Sequence, residues 1–377
     1  MASPSLLPEP ASAPWDLIFG GPLLTAVRAH LESGSPPALV ELYTSDRCAL
    51  RCKHCFHADV HSKAQALSLD EWMHTIRQFI AMGTRRIHFA GREPFLNPDT
   101  IDLLRWLEPI KQEHGLCVGA ITDGFSCAPW ADRLASSSLD YLDVSIDGMR
   151  GDHERLRGRG TYDRTVRALE VLVKTLDRTC LAVASVLDRQ NADSAGDFMA
   201  ELFEHGVRRY FFQPVQPLGA GRDMERLRPF ELRRAIQRIH RELDVGGMAK
   251  RGVVCMIFIP VEFFPEVVTG DAWLEARLDE SLRHGRSYAT LGNNRLMIDF
   301  EIMRVPFRNH VIVSHDGYLL GRCGFRSTWD YDLMSPGNVR SKPIADLLAG
   351  ARAMTLAALP IFDARSSSPR NGLHILT

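Results

Sequence analysis

The sequence of 377 residues lacks long apolar runs, and its formal net charge is only −1. A membrane-spanning helix needs about 20 consecutive apolar residues, and no segment meets that length. The balanced charge gives no sign of a broad nucleic-acid surface. The first residues have no basic region followed by an apolar stretch, as a secretory signal would. These absences predict a cytoplasmic protein with neither membrane nor nucleic-acid partners.

Cysteine is scarce over most of the chain, and only three of the eight cysteines lie close together. Cys48, Cys52 and Cys55 form this group, whereas the others are scattered at positions 117, 127, 180, 255 and 323. Scattered thiols do not indicate the disulfide framework of a small secreted protein. A reducing cytoplasm suits both these free thiols and an oxygen-sensitive metal centre.

The cysteine group points to metal binding, because thiolates at such short spacings commonly share a metal centre. A cubane 4Fe–4S cluster has four irons, and no fourth cysteine lies nearby, since the next one is Cys117. One iron would then be free to bind another molecule. Two alternatives are a zinc knuckle completed by His54 or His57, and chance clustering in a loop.

Short apolar runs alternate with amphipathic segments from residue 38 to about residue 245. The predicted strands are 38–43, 86–90, 117–122, 141–146, 180–187 and 209–213. Predicted helices follow them at 68–82, from 97, and at 128–137, 162–176, 194–205 and 230–243. This alternation predicts a parallel sheet with right-handed crossovers. Functional groups of such folds gather at the carboxyl ends of the strands, where the cysteine group also lies.

The alternation ends after about residue 245. A hairpin is predicted from strands 308–314 and 318–322 around the turn His315-Asp-Gly317, and a last helix from about 344 to 356. We therefore divide the chain into an N-terminal extension (1–37), a core (38–245), a C-terminal domain (246–362) and a flexible tail (363–377).

Three motifs together resemble the radical SAM superfamily, over roughly residues 38–245. They are Cys48-x3-Cys52-x2-Cys55 after the first strand, Gly91-Arg-Glu93-Pro94 after the second, and Ser145-Ile-Asp147-Gly148 after the fourth. The resemblance implies an α/β fold, a partial (βα)6 barrel with a small α+β C-terminal extension.

The resemblance also implies the cofactors. Cys48, Cys52 and Cys55 would bind a 4Fe–4S cluster, and the fourth iron would bind the amino and carboxylate groups of S-adenosylmethionine (AdoMet). The reduced cluster would cleave the S–C5′ bond, and the 5′-deoxyadenosyl radical would abstract a substrate hydrogen. An electron donor such as flavodoxin or ferredoxin would be a partner.

The resemblance assigns further residues to AdoMet. His54 would stack on the adenine, with Phe56 beside it; the methionine ammonium would lie at Gly91, Glu93 and Pro94; and the ribose would contact Ser145, Asp147 and, with less support, Thr122. An ordinary loop histidine and a simple turn at Asp147-Gly148 are the alternatives.

Arg92 departs from the family's Gly-Gly-Glu-Pro, and arginine tolerates positive φ poorly. Its side chain would pair with a carboxylate of substrate or cofactor, or extend into solvent.

The C-terminal part resembles the SPASM or twitch extension of the same superfamily. The resemblance rests on His315-Asp-Gly317, Cys323 and Gly337-Asn-Val-Arg340. That extension binds auxiliary clusters through many cysteines, but only Cys255 and Cys323 lie beyond residue 245. We therefore predict an extension without an auxiliary cluster. Cys255 and Cys323 are candidate hydrogen-atom donors; the alternative for each is a structural cysteine, for Cys255 a small buried hydrophobe.

The predicted function is an enzyme that tailors a small natural-product molecule such as a sugar, an aminoglycoside or a nucleoside. The alternative is a maturase that cross-links or epimerises a ribosomal peptide, for which residues 1–37 are short as a recognition domain. Cys55-Phe-His57 and Glu93-Pro-Phe-Leu96 also resemble viperin-like enzymes that act on nucleotides. A non-catalytic iron–sulfur or zinc scaffold is the alternative from another class.

Overall fold

The computed structural model describes residues 28–58, 65–176, 181–216, 218–259, 288–291, 296–300, 310–321 and 335–363, together with positions 267, 272 and 274. The predictions for Cys180, Cys323, the first 27 residues and the tail beyond residue 363 lie outside these ranges.

The strands follow the predicted alternation and lie in one sheet. They are β1 (Leu39–Leu42), β2 (Arg86–Phe89), β3 (Cys117–Thr122), β4 (Tyr141–Ser145), β5 (Leu181–Leu187), β6 (Arg209–Pro214), β7 (Val254–Ile259), β8 (Tyr288–Leu291), β9 (Leu296–Phe300), β10 (His310–Val313) and β11 (Leu319–Gly321). The six predicted strands are thus confirmed within one residue at each end.

Helices connect the successive parallel strands β1 to β7, and one more helix follows β11. Within the described residues they are α1 (Leu69–Met82), α2 (Asp99–His114), α3 (Ala131–Ala135), α4 (Arg150–Arg157), α5 (Thr161–Thr175), α6 (Ala195–Glu204), α7 (Pro229–Asp244) and α8 (Ile344–Asp363). A capping box begins α1: the Ser68 hydroxyl accepts from the Glu71 N–H, and the Glu71 carboxylate accepts from the Ser68 N–H.

The sheet has eleven strands in the order β11-β10-β1-β2-β3-β4-β5-β6-β7-β9-β8. Strands β1 to β7 are parallel to their neighbours, β9 and β10 extend the two sides in parallel, and β8 and β11 form antiparallel edges. The fold is therefore the predicted α/β partial barrel of six βα units, and the C-terminal residues add strands to both of its sides. The domain boundary at residue 245 stays a prediction, although strands before and after it share this sheet.

The two faces of the sheet differ in what covers them. Side chains alternate along a strand, so Leu142 and Val144 of β4 lie on the face that packs against the helices. Tyr141, Asp143 and Ser145 lie on the opposite face, which we call the inner face. A small apolar cluster covers part of the inner face: it comprises Tyr43, Ala90, Ile312 and Leu320.

Helix α4 was not predicted, and a physical reason is evident. Its eight residues carry no apolar period, and only His153 and Leu156 are buried. The helix packs against α5 and ends beside the loop that follows β1. Among the described residues, no helix is long and apolar enough to cross a membrane.

Candidate functional site

The three cysteines lie in the loop that follows β1, and all three are partly buried. Their thiols are close enough to interact: the charge of Cys55 adds to burial in raising the pKa of both Cys48 and Cys52. Burial is the main cause, and it raises the pKa of Cys52 to about 12 although Arg157 opposes it. Three neighbouring thiols at the carboxyl end of a strand are a suitable donor set for an iron–sulfur cluster.

The spacing of the thiols bears on the kind of metal centre. Within the described residues, no three His, Cys, Asp or Glu side chains are grouped tightly enough to hold one metal ion. In an iron–sulfur cluster each thiolate binds a different iron, so its ligands stand farther apart than those of a single zinc ion.

One backbone hydrogen bond from another element fixes the loop beside each cysteine. The Glu93 N–H donates to the carbonyl of Arg47 (3.0 Å), the Lys53 N–H donates to the carbonyl of Leu156 (2.8 Å), and the Ala220 N–H donates to the carbonyl of Cys55 (2.9 Å). The donor or acceptor comes from the segments after β2, in α4 and after β6, respectively. Because the loop has no regular structure of its own, these contacts hold its thiols in place.

Glu93 is a buried carboxylate surrounded by neutral donors. It accepts hydrogen bonds from the Thr122 hydroxyl (2.9 Å) and from the N–H groups of Asp123 (2.7 Å) and Phe95 (3.2 Å). Burial, followed by the charge of Asp123, holds the pKa of Glu93 well above its usual value. The structure thus joins two predicted residues, Glu93 and Thr122, in direct contact at the ends of β2 and β3.

The turn before Glu93 explains how Arg92 is accommodated. Gly91 adopts the left-handed conformation with φ of 103°, and a Cβ there would lie 3.0 Å from the Cβ and Cγ atoms of Tyr43. The Arg92 guanidinium donates to the carbonyl of His57 (3.0 Å) and thereby links this turn to the cysteine loop. Pro94 is buried and begins a short 3₁₀ helix at residues 94–96.

Asp147 lies in a buried ion pair. The Arg157 Nε and Nη2 atoms donate to its Oδ2 (2.5 Å) and Oδ1 (3.2 Å), and the Val186 N–H donates to Oδ1 (2.9 Å). Burial alone would raise the pKa of Asp147, but the charges of Arg157 and His54 outweigh it and lower the value to about 2. The carboxylate is 0 % exposed. Its predicted contact with a ribose stays a prediction.

His54 contacts this pair from the cysteine loop. Its Nε2 lies 3.4 Å from Oδ2 of Asp147, and its Nδ1 is buried with no hydrogen-bond partner among the described residues. Burial lowers the pKa of His54 to about 4, so the imidazole is neutral at pH 7. A neutral, oriented ring of this kind is suited to stacking on a planar base.

Ser145 and Phe56 complete the predicted cofactor residues. The Ser145 hydroxyl is on the inner face and makes no hydrogen bond within the described parts of the chain, so it remains available to a ligand. Phe56 is 36 % exposed, and its ring lies 3.9 Å from that of His57. His57 is buried, and burial together with the charge of Arg92 lowers its pKa to about 3.

Cys255 lies away from these groups. The register of the sheet places it in the same row as Val144 and Tyr210, on the helix-covered face opposite Ser145. It is 0 % exposed within the main hydrophobic core, which matches a small buried hydrophobe and gives no support to the predicted hydrogen-donor role. The same role for Cys323 falls outside the described residues.

Sequence reasoning missed two residues of the site. Arg157 was one arginine among four in residues 150–159, and only the structure shows that it turns inward to Asp147. Asn191 donates to the carbonyls of Asp147 (3.0 Å) and Val186 (2.8 Å), which fixes the loop after β4. The signal available for Arg157 was its position shortly after the Ser145–Gly148 motif.

The fold and this set of side chains define a parallel α/β protein with a thiol-rich site at the carboxyl ends of its strands. Residues 42–202 match the family model described as the Radical SAM superfamily. This part of the chain belongs to the radical SAM superfamily. This superfamily uses a 4Fe–4S cluster together with AdoMet. The three thiols, the unpartnered Ser145 hydroxyl and the orphaned Nδ1 of His54 fit these two groups.

Two curated relatives illustrate the sequence similarity. The chain is 26 % identical over 184 residues to a GTP 3′,8-cyclase of Lactiplantibacillus plantarum, covering 48 % of this chain and 54 % of the cyclase. It is 26 % identical over 204 residues to an AdoMet-dependent heme synthase of Methanosarcina barkeri, covering 53 % and 57 % of the two proteins. The chain thus spans only somewhat more than half the length of the curated relatives it matches.

Solved structures show the same fold at lower identity. Streptococcus suis SuiB bound to the precursor peptide SuiA superposes with a TM-score of 0.61 at 16 % identity, over 86 % of this chain and 68 % of SuiB. The structure of anSMEcpe with bound AdoMet superposes with a TM-score of 0.60 at 17 % identity, over 87 % of this chain and 84 % of anSMEcpe.

Proposed function

We propose that the protein is a radical SAM enzyme whose 4Fe–4S cluster is held by Cys48, Cys52 and Cys55. Together, the cluster and AdoMet supply a 5′-deoxyadenosyl radical that removes a hydrogen atom from the substrate. An external one-electron donor such as flavodoxin or ferredoxin reduces the cluster.

The observation that carries this proposal is the convergence of four strand ends. The cysteine loop follows β1, and Glu93 after β2 contacts Thr122 and Asp123 at the end of β3. Asp147 after β4 contacts His54 of the cysteine loop. A simple metal scaffold does not need these side chains to be brought together. A cofactor that carries an amine, a ribose and a base needs polar and ring-shaped partners gathered in this way.

The chain's own residues have distinct tasks in this proposal. The Glu93 carboxylate receives the methionine ammonium, because it is a buried acid that pairs with no cation among the described residues. The Ser145 hydroxyl binds a ribose hydroxyl. Asp147 holds His54 in the orientation in which its neutral ring covers the adenine, and Arg157 keeps Asp147 ionised.

The proposal is tested by anaerobic reconstitution with iron and sulfide, followed by dithionite and AdoMet. The expected result is a brown protein that releases 5′-deoxyadenosine. Cys52→Ala is expected to lose both the chromophore and AdoMet cleavage, because the remaining two thiols cannot retain a cluster. Full retention of either property in this variant, or zinc in place of iron in the wild type, would contradict the proposal.

For the substrate we propose a small polar molecule. The inner face of the sheet carries polar groups below the site, namely Glu41, His88, Tyr141 and Asp143. His88 Nδ1 and the Tyr141 hydroxyl are 3.1 Å apart, and burial raises the pKa of Asp143 to about 7 against the opposing charge of Arg209. Such a surface offers hydrogen-bond partners to a hydroxylated or aminated metabolite. The GTP 3′,8-cyclases among the relatives are named for a small-molecule substrate, GTP.

A peptide substrate is the second candidate, and the solved neighbours favour it. SuiB and anSMEcpe have both been crystallised with peptides. The two candidates differ in what increases 5′-deoxyadenosine release: polar sugars and nucleosides in one case, peptides in the other. A short precursor-peptide gene beside the coding gene would favour the second candidate.

A further inference from the structure

The segment after β6 lies with its backbone directly against the backbone of the cysteine loop. The Ala220 N–H donates to the carbonyl of Cys55, and the two flanking glycines, Gly219 and Gly221, are buried. Ala220 belongs to a short 3₁₀ helix, Gly219–Asp223, that packs at this point. The contact therefore joins the last of the three thiol-bearing residues to the sixth strand.

Both glycines are required by the closeness of this approach. A Cβ on Gly219 would lie within 3.0 Å of the carbonyl oxygens of Cys55 and Phe56, and one on Gly221 would lie 2.6 Å from the carbonyl oxygen of Gln216. Cβ atoms in real proteins essentially never come that close to backbone atoms. Gly219 also has a φ of 54°, which other residues adopt only at a cost.

We propose that Gly219 and Gly221 are positioning residues of the metal centre: without side chains, they let the segment after β6 clamp the backbone of residues 54–56 and set the place of Cys55. We call this contact the glycine clamp. The identity of the metal centre rests on the function proposed above, whereas the clamp itself is a contact of the polypeptide alone. Supporting contacts of this kind fix a ligand to within a fraction of an ångström.

The glycine clamp differs from the other two contacts of the loop. The hydrogen bonds at Arg47 and Lys53 are made by the backbones of Glu93 and Leu156, neither of which is a glycine. Only the contact at Cys55 depends on missing side chains. It is therefore the contact that a single added methyl group breaks.

The decisive variant is Gly219→Ala, and the chain offers a matched control in Gly115→Ala. Gly115 ends α2 with a φ of 61°, close to the 54° of Gly219, but nothing lies within 4 Å of a Cβ at that position. Both substitutions place an alanine at a similar positive φ, so each carries a backbone strain of this kind. Only Gly219→Ala adds the collision with the cysteine loop.

The first measurement uses the metal-free protein. Hydrogen–deuterium exchange of the Ala220 amide is expected to be about 10-fold or more faster in Gly219→Ala than in wild type, and unchanged in Gly115→Ala. The second measurement uses the reconstituted protein. Iron loss to a chelator is expected to be about 10-fold or more faster in Gly219→Ala, with an altered absorption spectrum, because displaced supporting contacts weaken metal binding by that order.

The outcomes separate the clamp from the proposed function. Ala220 exchange and iron loss in Gly219→Ala equal to those of Gly115→Ala would overturn the inference. Faster exchange in Gly219→Ala with no iron uptake by the wild type would support the contact and refute the proposed cluster.

If Gly219→Ala does not fold, Ala220→Pro replaces it in the iron-loss measurement. This variant removes the N–H that donates to Cys55, and proline is tolerated in the first turn of a helix. Iron retention in Ala220→Pro equal to that of the wild type would overturn the inference as well.

Discussion

Glu93 and Asp147 are two fully buried carboxylates of the same site, and their pKa values move in opposite directions. Burial and the neighbouring Asp123 raise that of Glu93, whereas Arg157 and His54 overcome burial and lower that of Asp147. Both accept backbone N–H groups. The difference lies in the counter-charge: Asp147 has a guanidinium at 2.5 Å, and no cation pairs with Glu93 among the described residues.

This difference indicates which carboxylate serves a ligand. A buried acid with an internal cation is already neutralised, which suits Asp147 to the proposed role as a support for His54. A buried acid without one gains most from a cation supplied from outside. The comparison therefore supports the ammonium-binding role proposed for Glu93 and the positioning role proposed for Asp147.

The largest effect is expected when the ion pair between Arg157 and Asp147 is removed. Arg157→Met leaves a buried, unpaired carboxylate, and removal of one partner of a buried ion pair typically costs about 3–5 kcal/mol. We expect a loss of this size in the free energy of unfolding, measured by urea denaturation of the metal-free protein. The double variant Arg157→Met/Asp147→Asn should be more stable than Arg157→Met alone, since it no longer buries a charge. Equal stability of Arg157→Met and wild type would show that the ion pair is unimportant.

A smaller effect is expected on the Glu93 side. Glu93→Gln removes the charge and keeps only one of the two acceptor oxygens, Oε1 for Thr122 and Phe95 or Oε2 for Asp123. The expected result is a loss of unfolding free energy no larger than about 1–3 kcal/mol, for the donor left unpaired. The expected loss of AdoMet affinity is about 10-fold or more, the usual worth of a charge-assisted hydrogen bond. Equilibrium dialysis of the reconstituted protein measures it. Glu113→Gln, at a side chain that is 73 % exposed, is the control. Undiminished affinity in Glu93→Gln would remove the ammonium role from this residue.

The smallest effect is expected for Asp143. The positive charge near this carboxylate is intermediate between that near Glu93 and that near Asp147. Burial raises the pKa of Asp143 to about 7. Arg209 and Tyr141 lie near this carboxyl group, and the positive charge of Arg209 only partly opposes the rise. The folded state therefore keeps a proton that the unfolded state loses above its ordinary value of 3.8. Stability falls as the pH rises from that value through about 7.

Asp143→Asn removes this dependence. Its melting temperature should exceed that of the wild type by about 2 °C or more at pH 8, with a smaller difference at pH 5.5. Thermal unfolding of the metal-free proteins at the two pH values provides the measurement. A difference that is the same at both values would mean that Asp143 titrates normally.

Much of the fold could be predicted because its signals are local. The strands are apolar runs of a buried parallel sheet, and the α1 cap is encoded by Ser68 and Glu71. The three motifs at strand ends likewise indicated where the site lies. In each case a few neighbouring residues specify the outcome.

The rest depends on contacts between distant parts of the chain. Arg150, Arg155, Arg157 and Arg159 look alike in sequence, and α4 has no apolar period to show which of them faces inward. The strands β7, β9 and β10 extend the sheet although the βα rhythm stops before them. The need for a glycine at position 219 could not be predicted either, because the backbone that excludes a side chain there belongs to a loop more than 160 residues earlier.

The most direct test of the central claim is the electron paramagnetic resonance spectrum of the reduced, anaerobically reconstituted protein, recorded before and after addition of AdoMet. We predict the signal of a reduced 4Fe–4S cluster that changes when AdoMet is added and that is absent from Cys52→Ala. A cluster signal that AdoMet leaves unchanged, or a wild-type protein that holds zinc and gives no signal, would contradict the account.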